Sequence, residues 1–338
     1  MIGPISSTGQ IGPDLAPRLG GLRTLSPLSR TAFSADGVEA PALRWIRGDN
    51  ALALGALVAE QPAQVTLAYL DPPFLTGRQH LRVERRKTQN NGFDRRLRPA
   101  FDDRWKDSSE YLSALGTRIE LVRALLAPHG SIIVHVDPKT SHYVKVLCDE
   151  IFGADCFASE IIWRYRRWPA KTPNFQRLHD VLLRYVRDDR TKPRFNQLYE
   201  PLAPSTQATW GSGKQQAVIG EHGRRRRSST LPEQSPGAPL GDVWDIGIVA
   251  PVARERTGYP TQKPEALMER LILSLSDPGE LVLDPYGGSG TTLAVAARHG
   301  RRAIGIDSSP ESWSVAEDRL RQLGELWTQE VGEQADGS

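Results

Sequence analysis

Apolar residues recur along this chain at two spacings, and the spacing predicts most of its elements. Between Glu110 and Ala127 they fall at Leu112, Leu115, Ile119, Val122 and Leu125, three and four apart, which predicts a helix. Pro128-His129-Gly130 stops it, and the continuous run Ser131 to Val136 predicts a buried strand ending at Asp137. A helix from His142 to Phe152 ends at Gly153. Shorter apolar runs predict strands at Leu43–Arg47, Thr66–Leu70, Phe157–Tyr165 and Val181–Val186. The helix Ala51–Glu60 lies between the first two, with Asn50 as its N-cap. Further on, Pro264 opens a helix with Leu267, Met268, Leu271, Ile272 and Leu275 on its apolar face. Strand Glu280–Leu283, a helix ending at Gly300 and strand Arg302–Ile306 follow. Strands alternating with helices predict an α/β fold with a doubly wound, mostly parallel sheet and helices on both faces.

Three stretches lack this spacing. Residues 1–42, rich in Gly, Pro and Ser, predict a flexible N-terminal arm. Residues 75–106 carry turn signals at Thr76-Gly77-Arg78 and Asn90-Asn91-Gly92 but no apolar period, which predicts a long lid or clamp loop. Residues 187–240 hold six prolines and polar runs, and predict an inserted, substrate-facing segment or a disordered linker. The ordered frame is then 43–186 and 241–325, with 326–338 as a C-terminal tail.

Composition adds limits. Of 338 residues, 39% are hydrophobic and 25% charged, which is globular material with enough apolar content for a core. No stretch approaches the ~20 apolar residues of a membrane span, and no secretory signal opens the chain, so a cytoplasmic protein without a membrane partner is expected. Cys148 and Cys156 sit in or beside an apolar helical pattern and predict buried small hydrophobes, with no disulfide and no metal site. The net charge is +3, yet residues 75–106 hold 10 Lys and Arg against 4 acids, and residues 161–228 hold 15 against 5. An acidic body with two basic segments predicts a bound polyanion. Arg78, Arg82, Arg85, Arg86 and Lys87 cluster in the first segment and Arg224, Arg225, Arg226 and Arg227 in the second.

Two motifs carry candidate chemistry. Strand Thr66–Leu70 runs into Asp71-Pro72-Pro73-Phe74, where the prolines fix φ, carry no N–H and hold Asp71 extended. The result is a stiff turn presenting a carboxylate, free carbonyls and a ring. The second is Asp284-Pro285-Tyr286-Gly287-Gly288-Ser289-Gly290-Thr291-Thr292, a glycine-rich turn from strand to helix, with Asp307 ending the next strand 23 residues after Asp284. Strand, glycine turn, helix, strand and acid is the layout of a nucleotide-binding βαβ unit. Leu293 replaces the third glycine of a dinucleotide fingerprint, and Thr-Thr after Gly290 replaces the Lys of a P-loop, so neither a dinucleotide nor ATP is expected.

Leu-Asp-Pro-Pro-Phe at 70–74 followed by Asp-Pro-Tyr-Gly-Gly-Ser-Gly-Thr at 284–291, after Gly-Tyr-Pro-Thr-Gln-Lys-Pro at 258–264, resembles the β group of the amino-group DNA methyltransferases. The resemblance spans residues 43–325 apart from 187–240. It implies a Rossmann-like methyltransferase fold in permuted order, S-adenosylmethionine as methyl donor, and adenine N6 in a flipped-out base of double-stranded DNA as acceptor. Cytosine N4, an RNA adenine and a non-catalytic DNA-binding subunit are the alternatives. The resemblance assigns Asp71, Pro72, Pro73 and Phe74 to catalysis. It assigns Asp49, Asp71, Thr261, Lys263, Asp284 and Pro285 to the cofactor, together with Gly288, Ser289, Gly290, Thr291 and Asp307, the last at the ribose. Thr261 and Lys263 would meet the methionine carboxylate at a helix N-terminus, and Gly48 and Asp49 the adenine of the cofactor. His135-Val136-Asp137 and Trp163-Arg164-Tyr165 resemble weaker flanking elements. Residues 187–240 stand where the β group keeps target recognition. A homodimer and a cognate restriction enzyme are further associations of that group.

Overall fold

The computed structural model describes residues 22–24, 43–60, 62–75, 77, 79–87, 93–169, 171, 173–188 and 191–331. The expected arm 1–42 lies outside these residues except at 22–24, as do Arg78, the Asn90-Asn91-Gly92 turn and residues 332–338. In chain order the strands are β1 (Leu22–Thr24), β2 (Leu43–Arg47), β3 (Val65–Leu70), β4 (Gln79–Lys87), β5 (Phe93–Asp102), β6 (Leu126–Val136), β7 (Phe157–Arg164), β8 (His179–Val186), β9 (Tyr199–Glu200), β10 (Gly213–Ile219), β11 (Arg225–Gln234), β12 (Ala238–Pro239), β13 (Val243–Asp245), β14 (Leu281–Asp284), β15 (Arg302–Asp307) and β16 (Leu326–Val331). The helices are α1 (Asn50–Glu60), α2 (Ser108–Leu125), α3 (Ser141–Phe152), α4 (Pro204–Trp210), α5 (Glu265–Leu275), α6 (Thr291–Arg298) and α7 (Pro310–Leu320).

Ten strands form one sheet in the order β1-β16-β2-β15-β14-β3-β6-β8-β7-β13. From β16 to β6 every neighbouring pair is parallel. β3 shows why: Val-Thr-Leu-Ala-Tyr-Leu has no polar alternation, and all six residues are buried, as a strand covered on both faces requires. The chain advances β2, β3, β6, β7 in one direction and β13, β14, β15, β16 in the other. Right-handed crossovers therefore put α1, α2 and α3 on one face and α5, α6 and α7 on the other; consecutive helices within each set touch. Cys148 and Cys156 are both buried, as expected of small hydrophobes, and burial pushes the Cys148 thiol up to about 12. Among the described residues, no helix is long and apolar enough to cross a membrane.

The sheet is mostly parallel, as expected, with a local exception at β8, and two other expectations are corrected. β8 runs antiparallel to both β6 and β7, so that edge of the sheet is mixed. An apolar run does not encode direction; the missing helical period between β7 and β8 was the available signal. Residues 75–106 are not one loop, because β4 and β5 pair as an antiparallel hairpin. Only Leu81, Val83, Phe93, Leu97 and Phe101 are large and apolar in those strands, and the arginines around them hide the period of two. Residues 326–338 do not begin as a tail: Leu326–Val331 is β16, parallel to β2, with Leu326, Thr328 and Val331 buried. Leu22–Thr24 of the expected arm pairs with it.

Asn196–Asp242 separates as its own compact unit, close to the expected 187–240. It is structured, with β9 paired to β12, β10 to β11, and α4 between. The Leu240 N–H donates to the Leu198 carbonyl at 2.8 Å and closes the insertion on itself.

Candidate active site

β14 lies between β15 and β3, and the chain leaves these neighbours in opposite directions: α6 leads from β14 to β15, α2 from β3 to β6. Ligands of open α/β sheets bind where strand order reverses in this way. A cleft of about 580 Å3 opens there, inside the ~300–1,000 Å3 typical of small-molecule sites. Leu283 stands opposite Ala68 in the register, so Asp284 and Asp71 emerge on one rim.

Asp71 is the centre of a charged and aromatic cluster. Its Oδ2 accepts from the ammonium of Lys263. Its Oδ1 is closed off from solvent and has no hydrogen-bond partner among the described residues. Nδ1 of His135 stands 3.6 Å from that oxygen. His135 is wholly buried, with Nδ1 2.7 Å from the Tyr69 hydroxyl and Nε2 3.4 Å from Asp180. The Tyr165 hydroxyl donates to Asp180 at 2.9 Å. Burial raises the Asp180 carboxyl, but His135, the Tyr165 hydroxyl and the Lys263 ammonium together hold it below the usual carboxylate range. The Phe74 ring lies 5.5 Å from the His135 ring and 5.4 Å from the Lys263 ammonium. Just beyond, Leu75 takes φ +55° and donates its N–H to Asp103 at 2.9 Å, which ties the Asp71–Phe74 turn to the foot of the β4–β5 hairpin. A left-handed conformation at such a residue costs ~1–3 kcal/mol and persists only where neighbours enforce it.

The glycine-rich turn forms the facing wall. Asp284 is buried, accepts from the Thr292 hydroxyl at 2.6 Å and from the Tyr286 N–H at 3.0 Å. Burial pushes its carboxyl up to about 7; those two hydrogen bonds oppose the rise, and the carboxylates of Asp71 and Asp307 add to it. Gly288 has φ +51° and donates its N–H to Asp307 at 2.8 Å. The Ser309 N–H donates to the other oxygen of Asp307 at 2.8 Å. Burial raises this carboxyl as well, against its hydrogen bonds from Ser309, Gly288 and Ser312. The Ser289 and Thr291 hydroxyls meet at 2.9 Å, and Arg319 donates to Thr291 at 3.0 Å. Pro285 offers its carbonyl to the Asn50 amide at 2.9 Å.

Asp49, not Asn50, caps α1: its Oδ1 accepts from the Ala51 and Leu52 amides at 2.8 and 3.1 Å. Asn50 is freed to brace Pro285. The other oxygen of Asp49 accepts from Arg118 at 3.1 Å. Gln262 folds the loop before α5, accepting from the Thr257 amide at 2.8 Å and donating to the Glu255 carbonyl at 2.6 Å. Thir loop brings Thr261, at φ +60°, and Lys263 to the cleft. The expected anion site at the N-terminus of α5 already has a carboxylate, since the Glu265 N–H donates to Glu255 at 2.8 Å.

The expected catalytic and cofactor residues line this one cleft, with Gly48 and Gly290 the exceptions. Gly290 starts α6 at φ +70°, and a Cβ there would stand 3.1 Å from that of Ala316 in α7, so this glycine serves helix packing. Arg82, Arg85, Arg86 and Lys87 lie on β4, Arg224 is exposed, and Arg225, Arg226 and Arg227 open β11. Sequence reasoning missed Arg118, Tyr111 and Asp180, and it named His135 and Tyr259 only within flanking motifs, without a role. Arg118 and Tyr111 are seven apart on α2, which puts them on one helical face, a signal that was present. Asp180 opens an apolar run, and nothing local links it to His135.

The model of the N6/N4 DNA methylase family, described as DNA methylase, matches residues 65–318. The DNA adenine methyltransferase YhdJ of Escherichia coli (strain K12) is 29% identical over 276 residues, 81% of each chain. The Type II methyltransferase M.HpaI of Haemophilus parainfluenzae is 29% identical over 268 residues, 79% of this chain and 72% of that one. Among solved structures, the cytosine-N4-specific PvuII DNA methyltransferase shares the fold at a TM-score of 0.53 and 17% identity, over 83% of this chain and 89% of that one. With the family model spanning both walls of the cleft and the strands between them, the chain belongs to the N6/N4 DNA methylase family.

Proposed function

We propose that this DNA methylase moves a methyl group from S-adenosylmethionine to the N6 amino group of an extruded adenine. The observation that carries the reading is Oδ1 of Asp71, a carboxylate acceptor buried at the cleft without a partner among the described residues. A buried acceptor left unsatisfied is costly, and an exocyclic amino group brings the N–H that satisfies it. The printed name of the Escherichia coli relative supports adenine.

The residues present fit the cofactor. Gly288 lets the backbone come close at φ +51°, Asp307 and Asp49 keep lone pairs for ribose and adenine groups, and Lys263 supplies a cation for a carboxylate. Asp284, Pro285, Ser289, Thr291 and Thr261 complete the wall. When bound, S-adenosylmethionine supplies a methyl group already activated by its sulfonium.

The adenine N6 lone pair is delocalised into the ring. Oδ1 of Asp71 and the Pro72 carbonyl each accept one N6 hydrogen and turn the lone pair out of conjugation. Phe74 stacks on the base, worth ~1–3 kcal/mol, and Pro73 keeps the turn stiff. The base reaches these groups only by leaving the duplex stack. Alignment is the main contribution of the protein. The nitrogen becomes acidic once methylated, and Oδ1 of Asp71 takes its proton and releases it to water.

Two cationic elements serve the duplex. Across the β4–β5 hairpin Arg82 faces Arg98 and Arg85 faces Arg95. A hairpin this rich in arginine suits the phosphates of a duplex. Arg78 and Lys87 extend the same stretch. The unit Asn196–Asp242, with Arg224–Arg227, is the candidate for target recognition. A cognate restriction enzyme, a homodimer and a cytoplasmic location belong to the same proposal, the first supported by the Type II name of M.HpaI. Expression in a methylation-free host, followed by sequencing that distinguishes modified bases, tests the reading. N6-methyladenine at one short motif is expected; N4-methylcytosine or unmodified DNA overturns it.

A further inference from the structure

The connection between β7 and β8 lies at the edge of the sheet that carries the catalytic cleft. β7 runs parallel to β6, so residues 165–178 leave the sheet at the same edge as Asp71. The foot of this loop is joined to the site: the Tyr165 N–H donates to the Leu178 carbonyl at 2.9 Å, and the Tyr165 hydroxyl holds Asp180, the neighbour of His135. At its far end the Gln176 amide donates to the Trp168 carbonyl at 2.9 Å, which draws the two arms together. Trp168 is 92% exposed and Phe175 100% exposed beside that link. Between Tyr165 and Leu178 the sequence has Arg166, Arg167, Lys171 and Arg177 and no acid. Pro169 and Pro173 restrict its backbone.

Large aromatic side chains left in water at the ligand-binding edge of a sheet mark a contact surface. A partner that is polyanionic and offers flat apolar faces suits both the cations and the rings, and unstacked nucleic-acid bases have that chemistry. We propose that residues 165–178 enter the DNA duplex beside the target, with Trp168 and Phe175 stacking in the gap from which the base leaves. Side-chain wedges between base steps are a general means of unstacking DNA. The loop then holds open the duplex while its foot supports the residues around Asp71. This inference rests on the base-extrusion reading above.

The test uses a duplex carrying the methylated motif found by sequencing, with 2-aminopurine at the target position, whose fluorescence rises when the base unstacks. The full chain should give that rise, and the double variant Trp168→Ala/Phe175→Ala should lose most of it. Duplex affinity should fall roughly ten-fold, as for the loss of a base–aromatic stack, and recover on a duplex with an abasic site opposite the target. Melting temperature and S-adenosylmethionine affinity should match the wild type, since both rings lie in solvent. No rise with the wild-type chain overturns the extrusion reading and this loop with it. A rise with wild type that the double variant reproduces, at equal duplex affinity, overturns the loop alone. A changed sedimentation coefficient with unchanged DNA binding also overturns it, by assigning the rings to contact between copies of the chain.

Discussion

Lys263 sets its ammonium on the carboxylate of Asp71 across 192 residues of chain, joining the loop before α5 to the end of β3. The two side chains are 11% and 17% exposed, so the pair is poorly screened by water. It occupies one oxygen of Asp71 and leaves the other for substrate. Gln262 aims Lys263 by fixing the loop to Thr257 and Glu255.

Lys263→Met should therefore slow methyl transfer by roughly ten- to a hundred-fold, the value of a charge-assisted hydrogen bond of ~1.5–3 kcal/mol. Single-turnover rates at saturating cofactor and DNA measure it. An unchanged rate would show that the ion pair does not orient Asp71.

Asp284 gives a pH dependence with a definite sign. Its carboxyl is raised to about 7 by burial in the folded chain, against an ordinary value of about 3.9 when unfolded. Between those values the folded chain keeps a proton that the unfolded chain has lost. The stability contributed by this protonated group is complete below about pH 4 and is lost as pH rises through about 7. Asp284→Asn removes the effect and keeps an acceptor for the Tyr286 amide. The melting temperature of the variant relative to wild type should rise between about pH 4 and pH 8. A constant difference across that range would show that Asp284 titrates in the folded chain as it does in the unfolded one.

Gly290→Val tests the reassignment of that glycine from the cofactor to packing. The substitution meets a left-handed backbone and Ala316 at 3.1 Å, a combination that costs ~1–3 kcal/mol. Melting temperature should fall, while calorimetric affinity for S-adenosylmethionine, measured below the transition, stays within a few-fold. Loss of affinity with unchanged melting would return Gly290 to the cofactor site.

The contrast between Gly288 and Gly290 shows how far sequence reading reaches here. Both belong to one legible motif, and its strand, turn, helix and distant acid were all in place because local spacing determines them. Which glycine faces the cleft depends on α7, more than twenty residues further on. The pairing of His135 with Asp180 was hidden for the same reason: each sits in an apolar run, and they meet only because β8 inserts between β6 and β7. The apolar run of β8 carries no direction; its antiparallel setting was signalled only by the missing helical period between β7 and β8. Asp49 displaced Asn50 as the cap of α1 because the choice between adjacent capping residues is made by contacts with Pro285 and Arg118. The acid at 71, by contrast, was exposed to inference by its prolines.

The central claim is that Oδ1 of Asp71 holds the amino group that receives the methyl. Its most direct test is Asp71→Ala, assayed in parallel for transfer of labelled methyl to DNA carrying the target motif and for S-adenosylmethionine binding by calorimetry. Transfer should fall by roughly 10²–10³ or more, the usual cost of removing one positioned hydrogen-bonding group from an active site, with cofactor affinity within a few-fold of wild type. Transfer at the wild-type rate would contradict the account.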